Sequence, residues 1–419
     1  MATRTRVISQ NKAVYVAPTG WDSHTASTPV TGRSQIDAHH LHRVDTFSFE
    51  MDLAGARQDV REFGQLARIG TVNLTEINPT LSFGYFLGDG ENELALGFQK
   101  SVTGHLATPN NALRTGQMCS GQLKEDPILK ERNVFLFTVE EGEDAFNLTN
   151  ASMKTEEAKH DVVGFGNCFV SSYSANFSVG EIPRADVEMQ ASNVVFYTGV
   201  NSGLINPSLN LEGQRTDSGI TRLPPPTSAT DSLPLVLRPQ DVTVSFDEGA
   251  VGAGGDGVSA IGGPSFSELP IQSASIELPL AREVIEALGN ELAYAKLLEF
   301  PIDVTMSISS LTRDFASGAL EYALTGTAEN NKTDITLDIK EEGNPKLKYL
   351  LKGAVLDNQS FSQGLDDNET VDLTFSAQIG GAATTDQGLF FFPQADAPDF
   401  TVASGAAHKE SVQPISFLS

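Results

Sequence analysis

Ser48-Phe-Glu-Met-Asp-Leu53, followed by Ala56-Arg57 and Gly64, is read again as Ser275-Ile-Glu-Leu-Pro-Leu280, followed by Ala281-Arg282 and Gly289. The serines stand 227 positions apart (275 minus 48) and the glycines 225 (289 minus 64), so a two-residue gap at Ala54-Gly55 reconciles the copies. The shorter offset returns where Thr80-Leu-Ser-Phe83 matches Thr305-Met-Ser-Ile308. A segment used twice points to one building block employed twice, and so to assembly more than to a unique active site.

Both copies alternate with period two. Phe47, Phe49, Met51 and Leu53 share one face, with Thr46, Ser48, Glu50 and Asp52 on the other. Ala274, Ile276, Leu278 and Leu280 keep the same phase. This is the pattern of a half-buried strand, and its register is firmly set because a one-residue slip turns the apolar row to solvent. Leu81, Phe83 and Tyr85, and again Val304, Met306 and Ile308, predict a second strand in each copy. Between the two strands, Val284, Ile285 and Leu288 share a helical face. Ala281–Leu288 is therefore expected as a short helix ended by Gly289, with Val60 and Phe63 before Gly64 in the first copy.

The repeat continues late in each copy. Asn176-Phe-Ser-Val-Gly180 resembles Ser360-Phe-Ser-Gln-Gly364, and Val187-Glu-Met-Gln-Ala191 resembles Val371-Asp-Leu-Thr-Phe375, both 184 apart (364 minus 180). The first copy is thus expected to be longer by 41 residues (225 minus 184), as an extra loop or hairpin within about 88–165. Each late pair reads as strand, turn, strand, the turn starting at Gly180 or Gly364. The chain divides into a first module over 1–211, a Pro/Ser/Thr-rich linker over 212–234, a second module over 235–395 and a C-terminal arm over 396–419. Gly252, Gly254, Gly255, Gly257, Gly262 and Gly263 mark residues 249–264 as a long Gly-rich loop.

The chain has 419 residues, 40% hydrophobic and 20% charged, enough for two or three domains with substantial cores. No apolar run of membrane-spanning length occurs, and Met-Ala-Thr-Arg-Thr-Arg lacks the apolar core of a secretory signal, so neither membrane insertion nor secretion is expected. Cys119 and Cys168 provide no disulfide framework and point to synthesis in a reducing compartment. The 54 acidic and 28 basic residues give a net charge of −26, the wrong sign for a stable DNA binder. Such charge serves solubility, and it also suits a duct along which DNA must slide without being held.

No nucleophile elbow, Walker loop or His-Glu-x-x-His stands in the chain, and no catalytic or cofactor-binding residue is expected. His39, His40 and His42 form the only histidine cluster; with Asp37 nearby they lack a preset third ligand and are read as surface-loop residues, so no metal is expected. Gly88-Asp-Gly-Glu-Asn92 lacks calcium-loop spacing and reads as a hairpin turn. Cys168, beside Phe169 and Val170, reads as a core residue, and Trp21 as a packing residue in an N-terminal loop.

Several stretches resemble the major tail tube proteins of long-tailed bacteriophages. They are Leu237-Arg-Pro-Gln-Asp-Val-Thr-Val244, Ile271-Gln-Ser-Ala-Ser-Ile-Glu-Leu-Pro-Leu-Ala-Arg-Glu283, Leu288-Gly289, Phe300-Pro-Ile-Asp-Val-Thr305, Val7-Ile-Ser-Gln-Asn-Lys-Ala-Val-Tyr15 and Arg43-Val-Asp-Thr-Phe-Ser-Phe49. The resemblance implies a mainly β fold of two tandem tube-type β-sandwich or barrel modules, each with a short flanking α-helix. It further implies a structural virion protein of the phage tail, made in the bacterial cytoplasm. With two modules per chain, the expected ring is a homotrimer of pseudo-sixfold symmetry. Rings stack into a tube whose acidic lumen passes double-stranded DNA, and which meets the tape measure, tail terminator and distal tail proteins. Which residues line the lumen is not legible at this stage. Two other readings use the same β pattern: a tandem sandwich adhesin or carbohydrate-binding protein, and a virion-borne hydrolase.

Overall fold

Alternating large apolar and small polar side chains dominate the described residues, and strands follow from them. The structure, a computed structural model, describes residues 12–19, 35–52, 57–73, 78–101, 117–123, 131–139, 144–147, 161–197, 205–209, 220–224, 226, 237–238, 241–248, 270–288, 293, 295–311, 332–341, 344–362, 370–381, 387–395 and 415–416. The Gly-rich loop 249–264 and Trp21 lie outside these residues.

Strands β1 (Lys12–Pro18), β2 (Gln35–Asp37), β3 (His39–His40), β4 (Val44–Glu50), β5 (Arg57–Val60), β6 (Gly70–Asn73) and β7 (Thr80–Phe86) come first. Helices α1 (Glu91–Ala95) and α2 (Ser120–Leu123) follow. Then come β8 (Arg132–Thr138), β9 (Asp161–Ser178), β10 (Arg184–Gln190), β11 (Asn193–Tyr197) and β12 (Ile220–Arg222). The later chain forms β13 (Val242–Glu248), β14 (Ile271–Pro279), β15 (Arg282–Ile285), β16 (Ala295–Leu298), β17 (Asp303–Leu311) and β18 (Thr333–Glu341). β19 (Asn344–Ser362), β20 (Thr370–Gln378), β21 (Gly388–Pro393) and β22 (Ile415–Ser416) complete it. The fold is mainly β, and its large sheet is antiparallel.

Two blocks of six strands have the same pairing order: β1-β8-β9-β10-β7-β4, and β13-β18-β19-β20-β17-β14. Ser48 pairs with Ser82, and Ser275 with Ser307, so the offsets 227 and 225 are also those of the strand register. Further along, Val187 faces Phe83 while Leu373 faces Ile308. That sets Val187 against Leu373, 186 apart (373 minus 187), rather than against Val371. The late match is therefore displaced by two residues from the sequence expectation, and the excess of the first block is 39 (225 minus 186) rather than 41. A two-residue slip keeps every side chain on its face, which is why composition alone does not reveal it.

The long strands β9 and β19 each serve two sheets. The first half of β9 lies between β8 and β11, and its second half between β10 and β14. The first half of β19 lies between β18 and β21, and its second half pairs with β20. The hand-over needs a left-handed backbone residue. It is Asn167 (φ 51°) in β9 and Gly353 (φ 65°) in β19, again 186 apart (353 minus 167). Asn and Gly are the residues that tolerate this region.

The blocks join edge to edge where β9 pairs with β14, running from Ser273 opposite Ser178 to Pro279 opposite Ser172. One continuous core spans both blocks, from Leu81, Phe83 and Tyr85 through Tyr173 and Ile276 to Met306, Tyr349 and Phe375, and a second, smaller cluster gathers Tyr15, Phe135, Phe137 and Tyr197 in the first block. The excess of the first block falls in two connections, 86 to 132 and 138 to 161, against 311 to 333 and 341 to 344 in the second. Part of it covers the outer edge of β21: the Ser101 and Met118 amides donate to the Phe391 and Leu389 carbonyls at 2.6 and 2.8 Å. The first block thus seals an edge of the second.

Four expectations are corrected. Ala281–Leu288 is not a helix. Arg282–Ile285 is a strand paired with β16, and Arg57–Val60 pairs likewise with β6. The apolar Val284-Ile285 pair fits either period, and its β-branching favours the strand. Gly64 stands between β5 and β6 at φ 99°, a turn rather than a helix end. Gly88–Asn92 is not a hairpin turn, because left-handed Gly90 (φ 89°) leads into α1. Part of the supposed linker is docked: β12 pairs in parallel with β2, and Leu223 is buried beside Pro224, whose carbonyl accepts from the Tyr15 hydroxyl at 2.8 Å. The described part of the C-terminal arm, Ile415–Ser416, pairs with β11.

Candidate functional site

The continuous run β4-β7-β10-β9-β14-β17-β20-β19 presents eight strands with one buried and one open face. Alternation assigns the faces. Leu81, Val187, Ala175, Ile276, Val304 and Phe375 point into the core. The opposite positions are Ser48, Ser82, Glu188, Ser172, Ser174, Ser275, Glu277, Thr305, Ser307, Asp372 and Thr374, all partly or fully open. The face is therefore built from short hydroxyls and carboxylates, the latter Glu50, Asp186, Glu188, Glu277, Asp303 and Asp372. No lysine lies on it among the described residues. Its basic group, Arg184, is held by Asp45 at 2.7 Å and Asp186 at 2.8 Å, and its Nη2 donates to the Thr46 hydroxyl at 2.7 Å. Gly84 lies under this guanidinium, where a Cβ would overlap it. A surface of hydroxyls and carboxylates repels polyanions, and Arg184 is already engaged by Asp45 and Asp186.

The two ends of this sheet differ from its middle. β14 has neighbours on both sides, whereas its counterpart β4 pairs only with β7 among the described residues. The second half of β9 is flanked on both sides, whereas that of β19 pairs only with β20. Side-chain exposure follows. Ile276 is fully buried, but Phe49, its counterpart, is 40% exposed although it packs on Phe165 at 5.2 Å between ring centroids. A long open strand edge is a template for another strand.

Each block also extends a hairpin between its first two sheet strands. Val60, Phe63, Leu66, Ile69 and Val72 are exposed on the first, and Val284, Ile285, Leu288 and Leu297 on the second. The root of the second is clamped to the first block. The Lys296 ammonium donates to Asn78 and Ser192 at 2.9 and 2.8 Å, and the Arg282 guanidinium stacks 4.8 Å from the Phe169 centroid.

Two groups of titratable residues lie inside. The Tyr173 hydroxyl donates to Glu93 Oε1 at 3.2 Å and lies 2.7 Å from the Tyr349 hydroxyl, joining the two blocks through a buried polar chain. Burial raises the Glu93 carboxyl above the usual carboxylate range. The second group corrects the reading of the histidines as surface residues: His40 and His42 are buried. His40 turns to Tyr15, and His39 and His42 converge on Glu91, the first residue of α1, at 3.7 and 3.6 Å. Burial, then the neighbouring His42, lowers His39 to about 4; burial, then Arg43, lowers His42. Both imidazoles are neutral at neutral pH. The side chain of Asp37, the expected companion, lies outside the described residues; the third member of the cluster is Glu91, 49 residues beyond His42 (91 minus 42), where spacing gives no signal.

Cys168 is fully buried and its thiol is raised by burial; Cys119, also buried, is pushed up to about 12. Among the described residues no helix is long and apolar enough to cross a membrane. No protein-family model matches this chain, and no curated protein matches it.

Proposed function

We propose that this chain is the structural subunit of a hollow tube, a phage tail tube, built from stacked rings of three chains, with the hydroxyl and carboxylate face turned to the lumen. The observation that carries the reading is the junction between β9 and β14 together with its two unused counterparts. If β19 of one chain meets β4 of the next as β9 meets β14, both ends of the eight-strand run are paired and the contact is head-to-tail, the kind that closes into rings. An eight-stranded sheet closing on itself would fill its interior with side chains. Three chains closing together give a barrel roughly 45 Å across between backbones, from strand spacings near 4.8 Å and ordinary tilts, which leaves room for duplex DNA.

The acidic face then lets DNA slide, since each lysine–phosphate contact it lacks is a counterion-release step it avoids. The exposed apolar hairpins are the surfaces for ring-on-ring stacking. Terminator, tape measure and distal tail proteins would meet the ends and interior of such a tube, and no catalysis is required of the chain.

The test is a cross-link whose register comes from the chain itself. Glu277 pairs with Ser174, and their counterparts are Glu50 (277 minus 227) and Ser360 (174 plus 186). Partners across a ladder have Cα atoms about 4.5–5.5 Å apart, within disulfide reach. The variant carrying Glu50→Cys and Ser360→Cys should oxidise to covalent trimers on non-reducing gels, with rings visible by negative-stain microscopy. Monomers under all conditions, or cross-linked dimers that do not continue to trimers, would sink the ring.

A further inference from the structure

We propose that His39, His42 and Glu91 form a binding site for one late first-row divalent cation of the zinc class. This goes beyond the tube reading and does not depend on it. One ring nitrogen each of His39 and His42 and a Glu91 oxygen all lie within 4.8 Å of one another. Tetrahedral zinc with ligands at about 2.0–2.2 Å holds its donor atoms roughly 3.3–3.5 Å apart. Glu91 Oε1 stands 3.7 Å from His39 Nε2 and Glu91 Oε2 3.6 Å from His42 Nε2, so small rotations of the carboxylate and the two rings bring three donors to that spacing. The two rings lie edge to face, centroids 5.6 Å apart at 84°, and so can turn their Nε2 atoms to a common point.

His39 Nε2 is buried without a hydrogen-bond partner, an orphan that a metal bond would satisfy. Glu91 is 30% exposed, so the carboxylate side of the site is in contact with solvent. Two imidazoles and a carboxylate suit zinc, cobalt or nickel, and not the all-oxygen preference of magnesium or calcium.

The site is held by its surroundings. The Asn92 side chain grips the backbone of His42 twice: its Oδ1 accepts from the His42 amide at 2.9 Å and its Nδ2 donates to the His42 carbonyl at 2.8 Å. Arg43, left-handed at φ 60°, donates from Nε to the Phe86 carbonyl at 3.1 Å and pairs with Asp89 at 3.5 Å. These contacts fix the turn after β3 against the start of α1, and Asn92 is a positioning residue for the site. A bound cation would tie the β1–β3 ribbon to α1, the start of the segment that seals β21. Its role is a structural cross-link.

The experiment uses the full chain, stripped with a chelator and titrated calorimetrically with zinc, then with cobalt under visible spectroscopy. One zinc per chain is expected, with cobalt ligand-field bands that zinc bleaches and with no response to magnesium or calcium. His39→Ala with His42→Ala should abolish both signals. Glu91→Gln, at the open rim and unable to disturb the core, should weaken zinc about tenfold or more, and Asn92→Ala should do so by about 10–100-fold while leaving the cobalt bands in place. Absence of saturable binding at one zinc per chain, or binding unchanged in the double histidine or Glu91→Gln variants, overturns the proposal.

Discussion

Replacing Phe49 by alanine should weaken ring assembly by about two orders of magnitude while leaving a folded chain. Phe49 is 40% exposed in the single chain, and its counterpart Ile276, covered by β9, has no exposure. A neighbouring β19 is expected to cover Phe49 in the same way. Burying a phenylalanine fully is worth roughly 1.5–3 kcal/mol, so the exposed share contributes about 1 kcal/mol at each contact. A closed ring of three chains has three such contacts, hence about 3 kcal/mol in its formation constant, or somewhat over a hundredfold. The share already buried against Phe165 is lost within the chain too, a further cost of roughly 1 kcal/mol to folding, read separately by urea denaturation. Ring population against concentration, by mass photometry, measures the first quantity. Ser48→Ala is the control, because Ser48 faces the hydroxyl side. Unchanged ring assembly in a folded Phe49→Ala chain, or an equal loss in Ser48→Ala, would refute the seating of β19 on β4.

Other outcomes follow from the same geometry. Glu188→Lys and Glu277→Lys each place a cation on the open face; assembled tubes should gain salt-sensitive DNA retention, with a log–log salt slope near −0.9 per phosphate engaged, where the unaltered tube shows none. Glu93 holds its proton more tightly in the folded state than in the unfolded chain, because burial raises its pKa. Between the unfolded value near 4.3 and the folded one, the native state binds the extra proton, so stability falls as pH rises through that window, by at most about 1.4 kcal/mol per pH unit. Glu93→Gln should remove this slope from denaturation midpoints, and an unchanged slope would assign it elsewhere. Tyr349→Phe deletes the hydroxyl contact with Tyr173 but leaves Tyr173 bonded to Glu93, and should cost about 0.5–1.5 kcal/mol in urea unfolding.

The sheet was the legible part of the sequence. Strict alternation through Thr46–Glu50, Leu81–Tyr85 and Val304–Ile308 is satisfied by strands with one wet and one dry face, and the wet face emerges as the hydroxyl and carboxylate surface. Its position in the sheet was not legible, because alternation separates faces without saying which strands are neighbours. The hairpins are ambiguous in the sequence because Val284, Ile285 and Leu288 suit either period, and only the β-branching of Val284 and Ile285 favours the strand that forms. The late match missed by two residues because a slip of two leaves apolar and polar positions unchanged. The histidine cluster is visible in the sequence, but its burial and its third member are not: Glu91 is delivered by a helix remote in the chain, and nothing near His39 announces it.

The left-handed hinges at Asn167 and Gly353 have a mechanical consequence. Each lets one unbroken chain run from the sheet that carries the open face into the sheet behind it. A load on the inner sheet therefore reaches the outer one along covalent backbone, with no side-chain interface in series that could slip. Where neighbouring strands meet side by side, the hydrogen bonds take tension along the strands as shear shared across a whole row. In the tube proposed above, whose bore must stay open while DNA passes, two such continuous strands per chain would add stiffness.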